Sequence, residues 1–473
     1  VQASTSLKTT KTEALNLKQQ LGHYNIKAAM SIINHIKSLL SVKTTEQQAI
    51  TSFRNIGEVG GSLVVKTRGD RVIWAIVLVL TMASLLLVYS STGSLAYRMS
   101  KSTESYLFKQ FAFILVGLIL IYFFHRINYT FFSQLAKFFF FLSIPLLIYT
   151  LFFGVQLNAG SRWIRLPVIN MTFQTSDLAK LALFMYLSRL LSKKQDVIKD
   201  FKKGFLPIIS PVLLICLLIA PANLSTALLI FGTSIILMFI GRVRTRHILS
   251  VIGIALIPVV FLVVVAVTHY DKTTGKPTKL PAIMSKGRVP TWTGRIQTFL
   301  YSKKEDDNEK LYQNNQAKIA IANGGWFGRG PGNSVQRNFL PHCYSDFIYA
   351  IIIEEYGFFG AAFMLLIYLV FLFRCIRLYK KCPFAFGAFL ALALSFTLVI
   401  QAIANMGVNV SVLPNTGVTL PLVSMGGSSL WFTCMAIGII LSVARNVEQI
   451  EGETNLKKQL EKTAEEEAPA VAI

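Results

Sequence analysis

Ile248-Leu-Ser-Val-Ile-Gly-Ile-Ala-Leu-Ile-Pro258-Val-Val-Phe-Leu-Val-Val-Val-Ala-Val-Thr268 contains no charged side chain, and Arg242, Arg244 and Arg246 stand just before it. A helix needs about 20 apolar residues to cross the hydrocarbon core of a bilayer. This run is therefore read as a membrane span. Nine more runs read the same way, at 72–91, 107–125, 131–153, 177–192, 205–220, 226–241, 347–373, 384–404 and 425–444. Only Ala220-Pro221-Ala222-Asn223 separates the fifth from the sixth. The split falls there because Pro221 cannot continue a helix. Composition agrees: 53% of residues are hydrophobic and 15% charged, against roughly 25% charged in soluble domains. The expected fold is all-α, a polytopic membrane protein of about ten transmembrane helices. A soluble enzyme, a disordered chain and a fibrous repeat are excluded.

The chain has 47 basic and 23 acidic residues, a formal charge of +24. In a membrane protein such an excess sets orientation and meets anionic lipid, so no nucleic-acid partner is expected. Lys193, Lys194, Lys199, Lys202 and Lys203, then Arg242, Arg244 and Arg246, then Arg374, Arg377, Lys380 and Lys381, all fall on one side. That side is expected to be cytoplasmic, with both termini. The segments 92–106, 154–176, 221–225, 269–346 and 405–424 then lie outside. The large outer loop 269–346, between the seventh and eighth spans, holds twelve Lys/Arg. Long loops escape the charge rule, so these residues are either solvated surface or contacts for an anionic ligand.

Three parts are expected: a cytoplasmic N-terminal extension 1–70, a membrane domain 71–445 and a polar cytoplasmic tail 446–473 that is either disordered or helical. In the extension, Leu17, Leu21, Ile33, Ile36, Leu39 and Leu40 alternate with Lys and suit an interfacial amphipathic helix. The five cysteines show no metal-site spacing, so neither a disulfide nor a zinc site is expected.

Polar chemistry gathers on the expected outer side. Residues 323–337 read Asn-Gly-Gly-Trp-Phe-Gly-Arg-Gly-Pro-Gly-Asn-Ser-Val-Gln-Arg. Glycines permit positive φ and close backbone approach. The segment is either a simple turn or a cradle whose N–H groups hold a phosphate beside Arg329 and Arg337. Ser345 and Asp346 open the eighth span. Asp346 is a helix cap or an acid whose pKa is raised at the interface. Glu354 and Glu355 follow inside an apolar run, where carboxylates are costly and face a cavity or a polar network. Pro414, Gly417, Pro421, Gly426 and Gly427 break the last outer loop. Broken backbone at membrane depth lines a cavity or lies buried in protein. The outer half of the bundle is thus expected to hold a polar cavity walled by 158–180, 288–346 and 405–429.

These residues carry a resemblance. Gly328-Arg-Gly-Pro-Gly-Asn-Ser-Val-Gln336, Leu340-Pro341 with Asp346-Phe-Ile, Glu354-Glu355-Tyr-Gly357 and Leu420-Pro421-Leu-Val-Ser424-Met-Gly426-Gly427-Ser428-Ser429 occur in order. So do Ser161-Arg162-Trp163-Ile164 and Ala179-Lys180-Leu181. Over about 72–445 the chain resembles the SEDS family (shape, elongation, division and sporulation), the FtsW/RodA group. The resemblance implies a glycosyltransferase that polymerises lipid II, the polyprenyl diphosphate-linked disaccharide peptide, at the outer face of the bacterial cytoplasmic membrane. It also implies a class B penicillin-binding transpeptidase as partner, with other division proteins of the membrane. The family's catalytic carboxylate falls on Asp346. Its substrate-facing positions fall on Arg162, Trp163, Lys180, Arg329, Gly330, Gly332, Asn333, Ser334, Gln336, Arg337, Ser424, Gly426, Gly427 and Ser428.

Some positions depart from the family. Asp177 stands in Gln174-Thr175-Ser176-Asp177, where the family often has Glu, and Asn223 replaces a familiar acid. Gly69-Asp70-Arg71-Val-Ile-Trp74 and Val88-Tyr89-Ser90-Ser91 look like FtsW, whereas Pro414-Asn415-Thr416-Gly417 has RodA spacing. A role at the division septum is favoured over a RodA-type role in elongation.

The implied reaction needs one base for the acceptor hydroxyl and cations for the departing diphosphate. A divalent cation, Mg²⁺ or Mn²⁺, is a candidate there, with no residues assigned to it. A lipid II flippase or transporter is the alternative, and would need polar residues through the whole membrane thickness.

Overall fold

A computed structural model describes residues 69–93, 100, 102–157, 160–166, 171–270, 289–301, 309–341 and 343–467. The expected amphipathic helix near 17–40 lies outside them. All described residues belong to one unit, Gly69–Ile473.

The described residues open with α1 (Arg71–Ser91), α2 (Thr103–Arg126) and α3 (Tyr129–Phe153). Asp70, Ser102 and Asn128 cap them, each side chain accepting from N–H groups of the first turn. Next come α4 (Thr175–Lys193), a π-helical turn at Phe201–Phe205 leading into α5 (Leu206–Ile219), α6 (Leu224–Ile240) and α7 (Thr245–Thr268). The helices α8 (Val289–Tyr301), α9 (Glu309–Gly324), α10 (Ile348–Lys381), α11 (Ala385–Asn409) and α12 (Ser428–Glu467) follow among the described residues. The break at Pro221 falls where the sequence places it, with Asn223 capping α6.

Among the described residues, eight helical stretches are long and apolar enough to cross a membrane: α1, α2, α3, Phe201–Ile219, α7, α10, α11 and Ser428–Thr454 of α12. The other two expected spans differ for physical reasons. Helix α6 is apolar but shorter. Helix α4 has Asp177, Lys180, Arg189 and Lys193 along it and is largely enclosed by its neighbours. The outward face of α7 shows the solvent this protein is built for. Leu249, Ile254, Ile257 and Val260 are all more than half exposed. Apolar surface so continuous belongs in lipid, and the chain is a multi-pass membrane protein. The core lies around α11 and α12, both mostly buried; α12 runs along α2, and α11 packs on α10 and α4.

The structure corrects the expected loops. Segment 154–176 contains an antiparallel sheet of β1 (Val155–Leu157), β2 (Gly160–Leu166) and β3 (Met171–Gln174), in that order. Loop 269–346 contains α8, α9 and a 3₁₀ turn at Gln336–Asn338. Helix α11 ends at Asn409, beyond the expected 404, and the last helix runs through the expected tail to Glu467. The expected span 347–373 is interrupted. Gly357, at φ 66° and ψ −163°, breaks α10. The limb after it, 358–381, is itself about 36 Å long and sufficient to cross a bilayer.

Candidate functional site

One cavity of about 510 Å³ lies among α4, α6, α11, the sheet and the loops before α10 and α12. Asp346 and Ser345 line it from the segment entering α10. Lys180 and Asp177 reach it from α4, Gln401 from α11, and Arg295 from α8. Trp163 and Gln174 also line it, and the sheet register pairs these two residues across β2 and β3. A short sheet running directly into α4 thus places an indole beside the first turn of that helix.

Asp346 is half-buried, and Ser345 Oγ donates to its Oδ1 at 3.0 Å. Gly417 adopts φ +65°, and a Cβ there would sit 3.6 Å from Asp346 Oδ2. Glycine therefore keeps the backbone turn open beside the carboxylate. Burial, then the neighbouring Cys343, Tyr106 and Asp346, push the Tyr344 phenol above its ordinary pKa. Tyr344 therefore stays protonated at neutral pH.

Lys180 Nζ lies 3.3 Å from Asp177 Oδ1 and donates to Gln401 Oε1 at 2.9 Å. The other Asp177 oxygen is buried without a hydrogen-bond partner. Ser424 Oγ donates to Ser345 O at 2.7 Å, and Met425 N–H to Tyr344 O at 3.0 Å. The segment before α12 therefore braces the one that carries Asp346. Ser428 Oγ accepts from Gln174 N–H at 3.3 Å, and Gly426 lines the cavity beside Gly427, whose φ is +57°. At Asn223, the familiar acid's position, the amide donates to Thr226 Oγ1 at 2.6 Å. Arg162 lies on β2, with its side chain outside the described residues.

The glycine-rich segment goes elsewhere. Arg329, Gly330, Gly332, Asn333, Ser334, Gln336 and Arg337 are absent from the cavity lining. They gather around Glu354 and Glu355, both fully buried. Glu354 accepts from Ser334 Oγ and from the N–H groups of Val335 at 3.1 Å and Gln336 at 3.2 Å. Arg329 N–H donates to Glu354 O and Gly330 N–H to Glu355 O, each at 2.9 Å. Ser90 Oγ donates to the Glu355 carboxylate, and Arg337 donates to Ser90 O at 3.0 Å. The N–H groups expected to cradle a phosphate already have protein acceptors. The glycines serve close approach: a Cβ on Gly328 would collide with Glu355 O, and one on Gly357 with Trp326 O.

Arg295, Gln401 and Asp177 are cavity residues that the motif reading did not select. A polar residue inside an apolar run was the available signal for Gln401; Arg295 was one charge among twelve. No three His, Cys, Asp or Glu residues come together as a metal cage among the described residues. The carboxylates lining the cavity are Asp177 and Asp346. That set suits Mg²⁺, which takes one or two carboxylates and fills its shell with water and phosphate oxygens.

A lipid-embedded helical bundle that encloses a carboxylate with cationic partners in a polar cavity is a membrane protein built to handle a polar, anionic ligand. The chain belongs to the FtsW/RodA/SpoVE family of cell cycle proteins, whose family model matches residues 70–449. It is 31% identical over 383 residues to the probable peptidoglycan glycosyltransferase FtsW of Trichlorobacter lovleyi, covering 80% of this chain and 94% of that protein. It is 32% identical over 386 residues to the stage V sporulation protein E of Bacillus subtilis, covering 80% and 98%. Its fold is similar to a chain of a peptidoglycan synthase complex that coordinates polymerization and crosslinking (TM-score 0.61, 23% identity, 80% and 99% covered). It is also similar to the rod shape determining protein RodA of Thermus thermophilus (TM-score 0.54, 22% identity, 80% and 97% covered).

Proposed function

We propose that this chain is a peptidoglycan glycosyltransferase that polymerises lipid II into glycan strands at the outer face of the bacterial cytoplasmic membrane, for the division septum. The observation that carries the reading is the placement of Asp346, Lys180 and Arg295 around one cavity, in a chain whose relatives include named FtsW glycosyltransferases.

The chemistry follows from the groups present. The acceptor sugar hydroxyl must lose a proton as it attacks, and Asp346 accepts it. The donor already has a diphosphate leaving group and needs charge stabilisation more than acid assistance. Lys180, held by Asp177 and Gln401, and Arg295 supply positive charge on the cavity wall. A bound Mg²⁺ or Mn²⁺ would add neutralising charge at the diphosphate, with Asp177 as its protein ligand. Converting an α-linked donor into a β-1,4 bond is a single inversion, so one carboxylate suffices and no covalent intermediate is needed. Ser424, Gly426, Gly427 and Ser428 shape and brace the cavity. Arg329, Arg337 and their glycine neighbours hold the wall in place through the two glutamates.

A class B penicillin-binding transpeptidase supplies crosslinking, alongside other division proteins. Phe359, Phe363, Leu366, Val370 and Phe373 form an exposed stripe at helical spacing on α10. A single transpeptidase span would pack there by close van der Waals fit.

The test is polymerisation of labelled lipid II by the purified pair. Asp346→Asn should lose about 10²- to 10⁴-fold in rate while keeping its melting temperature and its partner. Near wild-type polymerisation by that variant would reduce Asp346 to a structural residue.

A further inference from the structure

Helix α11 carries Gln401, Asn405 and Asn409 at intervals of four, which places three primary amides on one face. All three are buried. Amides in such surroundings need partners, and those of the two asparagines converge on the segment that carries Asp346. Asn405 Nδ2 donates to Asp346 O at 2.8 Å and to Val418 O at 2.7 Å. Asn409 Nδ2 donates to the same Asp346 O at 3.0 Å and to Asn405 O at 2.8 Å.

Asn409 also accepts, through Oδ1, from Ala350 N–H at 3.1 Å. In an uninterrupted helix Ala350 N–H would bond directly to Asp346 O, four residues back. The Asn409 amide stands between the two groups and satisfies both. Ala350 N–H tightens instead onto Phe347 O at 3.1 Å. The entry to α10 is thereby held open at Asp346, and its carbonyl is fixed by two donors from a rigid neighbouring helix. Gln401 extends the row. Its Nε2 donates to Thr419 O at 3.0 Å, and its Oε1 receives Lys180.

We infer that Asn405 and Asn409 are positioning residues for Asp346: their amides wedge open the first turn of α10 and aim the carboxylate into the cavity. The inference rests on the reading of Asp346 as the base. Plain helix-to-helix glue would join any convenient groups. Here two amides spend donors on one carbonyl, that of the acidic residue in the cavity wall. Misplacing a reacting group by about 1 Å costs about a hundredfold in rate, so a device of this kind acts on turnover rather than on substrate binding.

The experiment measures kcat and KM for lipid II with the purified transpeptidase complex. Asn405→Ser and Asn409→Ala remove donors to Asp346 O. Asn409→Asp keeps size and the acceptor for Ala350 N–H, loses the donor, and guards against a variant that merely unfolds. Ser395→Ala is the control on the same helix, its hydroxyl donating to Leu392 O. The expected result is a fall in kcat of about ten- to a hundredfold in the asparagine variants, KM within about twofold, and no change in Ser395→Ala. A rise in KM with kcat intact, or kcat within twofold of wild type in Asn405→Ser and Asn409→Asp, overturns the inference. Asp346→Asn measured alongside separates the two claims. If Asp346→Asn is active, the base assignment fails. If Asp346→Asn is inactive and the asparagine variants are unimpaired, only the positioning role fails.

Discussion

Asp346 and Glu354 stand two turns of chain apart, and the structure gives them opposite surroundings. Asp346 is half-buried on the wall of a cavity of about 510 Å³, with room beside it left by Gly417. Glu354 is sealed, its oxygens taken by Ser334, Val335 and Gln336. A buried carboxylate saturated with donors holds structure together; one on a cavity wall can also be reached by a ligand in that cavity. The family's substrate motifs therefore divide. Asp346, Trp163, Lys180 and Gly426 meet at the cavity, whereas Arg329 to Arg337 build the clamp around the glutamates.

The sharpest way to break this contrast is Glu354→Ala. It strands Ser334 Oγ and two backbone N–H groups in a buried place, at about 1–3 kcal/mol for each unsatisfied group. The melting temperature of the purified complex should fall by far more than in Asp346→Asn, and an unchanged value would dissolve the clamp.

Gly357→Ala comes next. It forces a side chain into a backbone region that is nearly glycine-only, which costs about 1–3 kcal/mol, and toward Trp326 O. Thermal melting should again record the loss, with kcat at low temperature little changed.

The smallest effect sharpens the division among arginines. Arg295→Lys should lower kcat/KM about tenfold, because a lysine does not reproduce the guanidinium fork on phosphate. Arg329→Lys, at an exposed position of the clamp, should stay within about twofold. A reversed ranking would move the diphosphate from the cavity to the glycine-rich segment.

The sequence already contained the bundle. Apolar runs gave the helices, and Pro221 gave the break before α6. The position of the cavity was legible from broken backbone near Pro414 and Pro421. The readings that changed did so for different physical reasons. Glycine announces that something approaches closely but not what, so the segment around Gly328 read as a simple turn or a phosphate cradle, whereas Gly328 seats Glu355 O. Asn405 and Asn409 looked like loop because hydropathy falls at 404, although their fourfold spacing continues the helix. Gly357 gave no warning in an apolar run, since its positive φ depends on the Trp326 backbone packed against it. The sheet at 155–174 was hidden by its short strands.

Lipid II crosslinking tests most directly whether the cavity, rather than the glycine-rich segment, holds the substrate. A photo-reactive residue at position 229, on the cavity wall, is compared with one at position 329 in the purified complex. A labelled lipid II adduct that excess unlabelled substrate suppresses is expected at 229, and none of that kind at 329. A competed adduct at 329 with none at 229 would contradict that expectation.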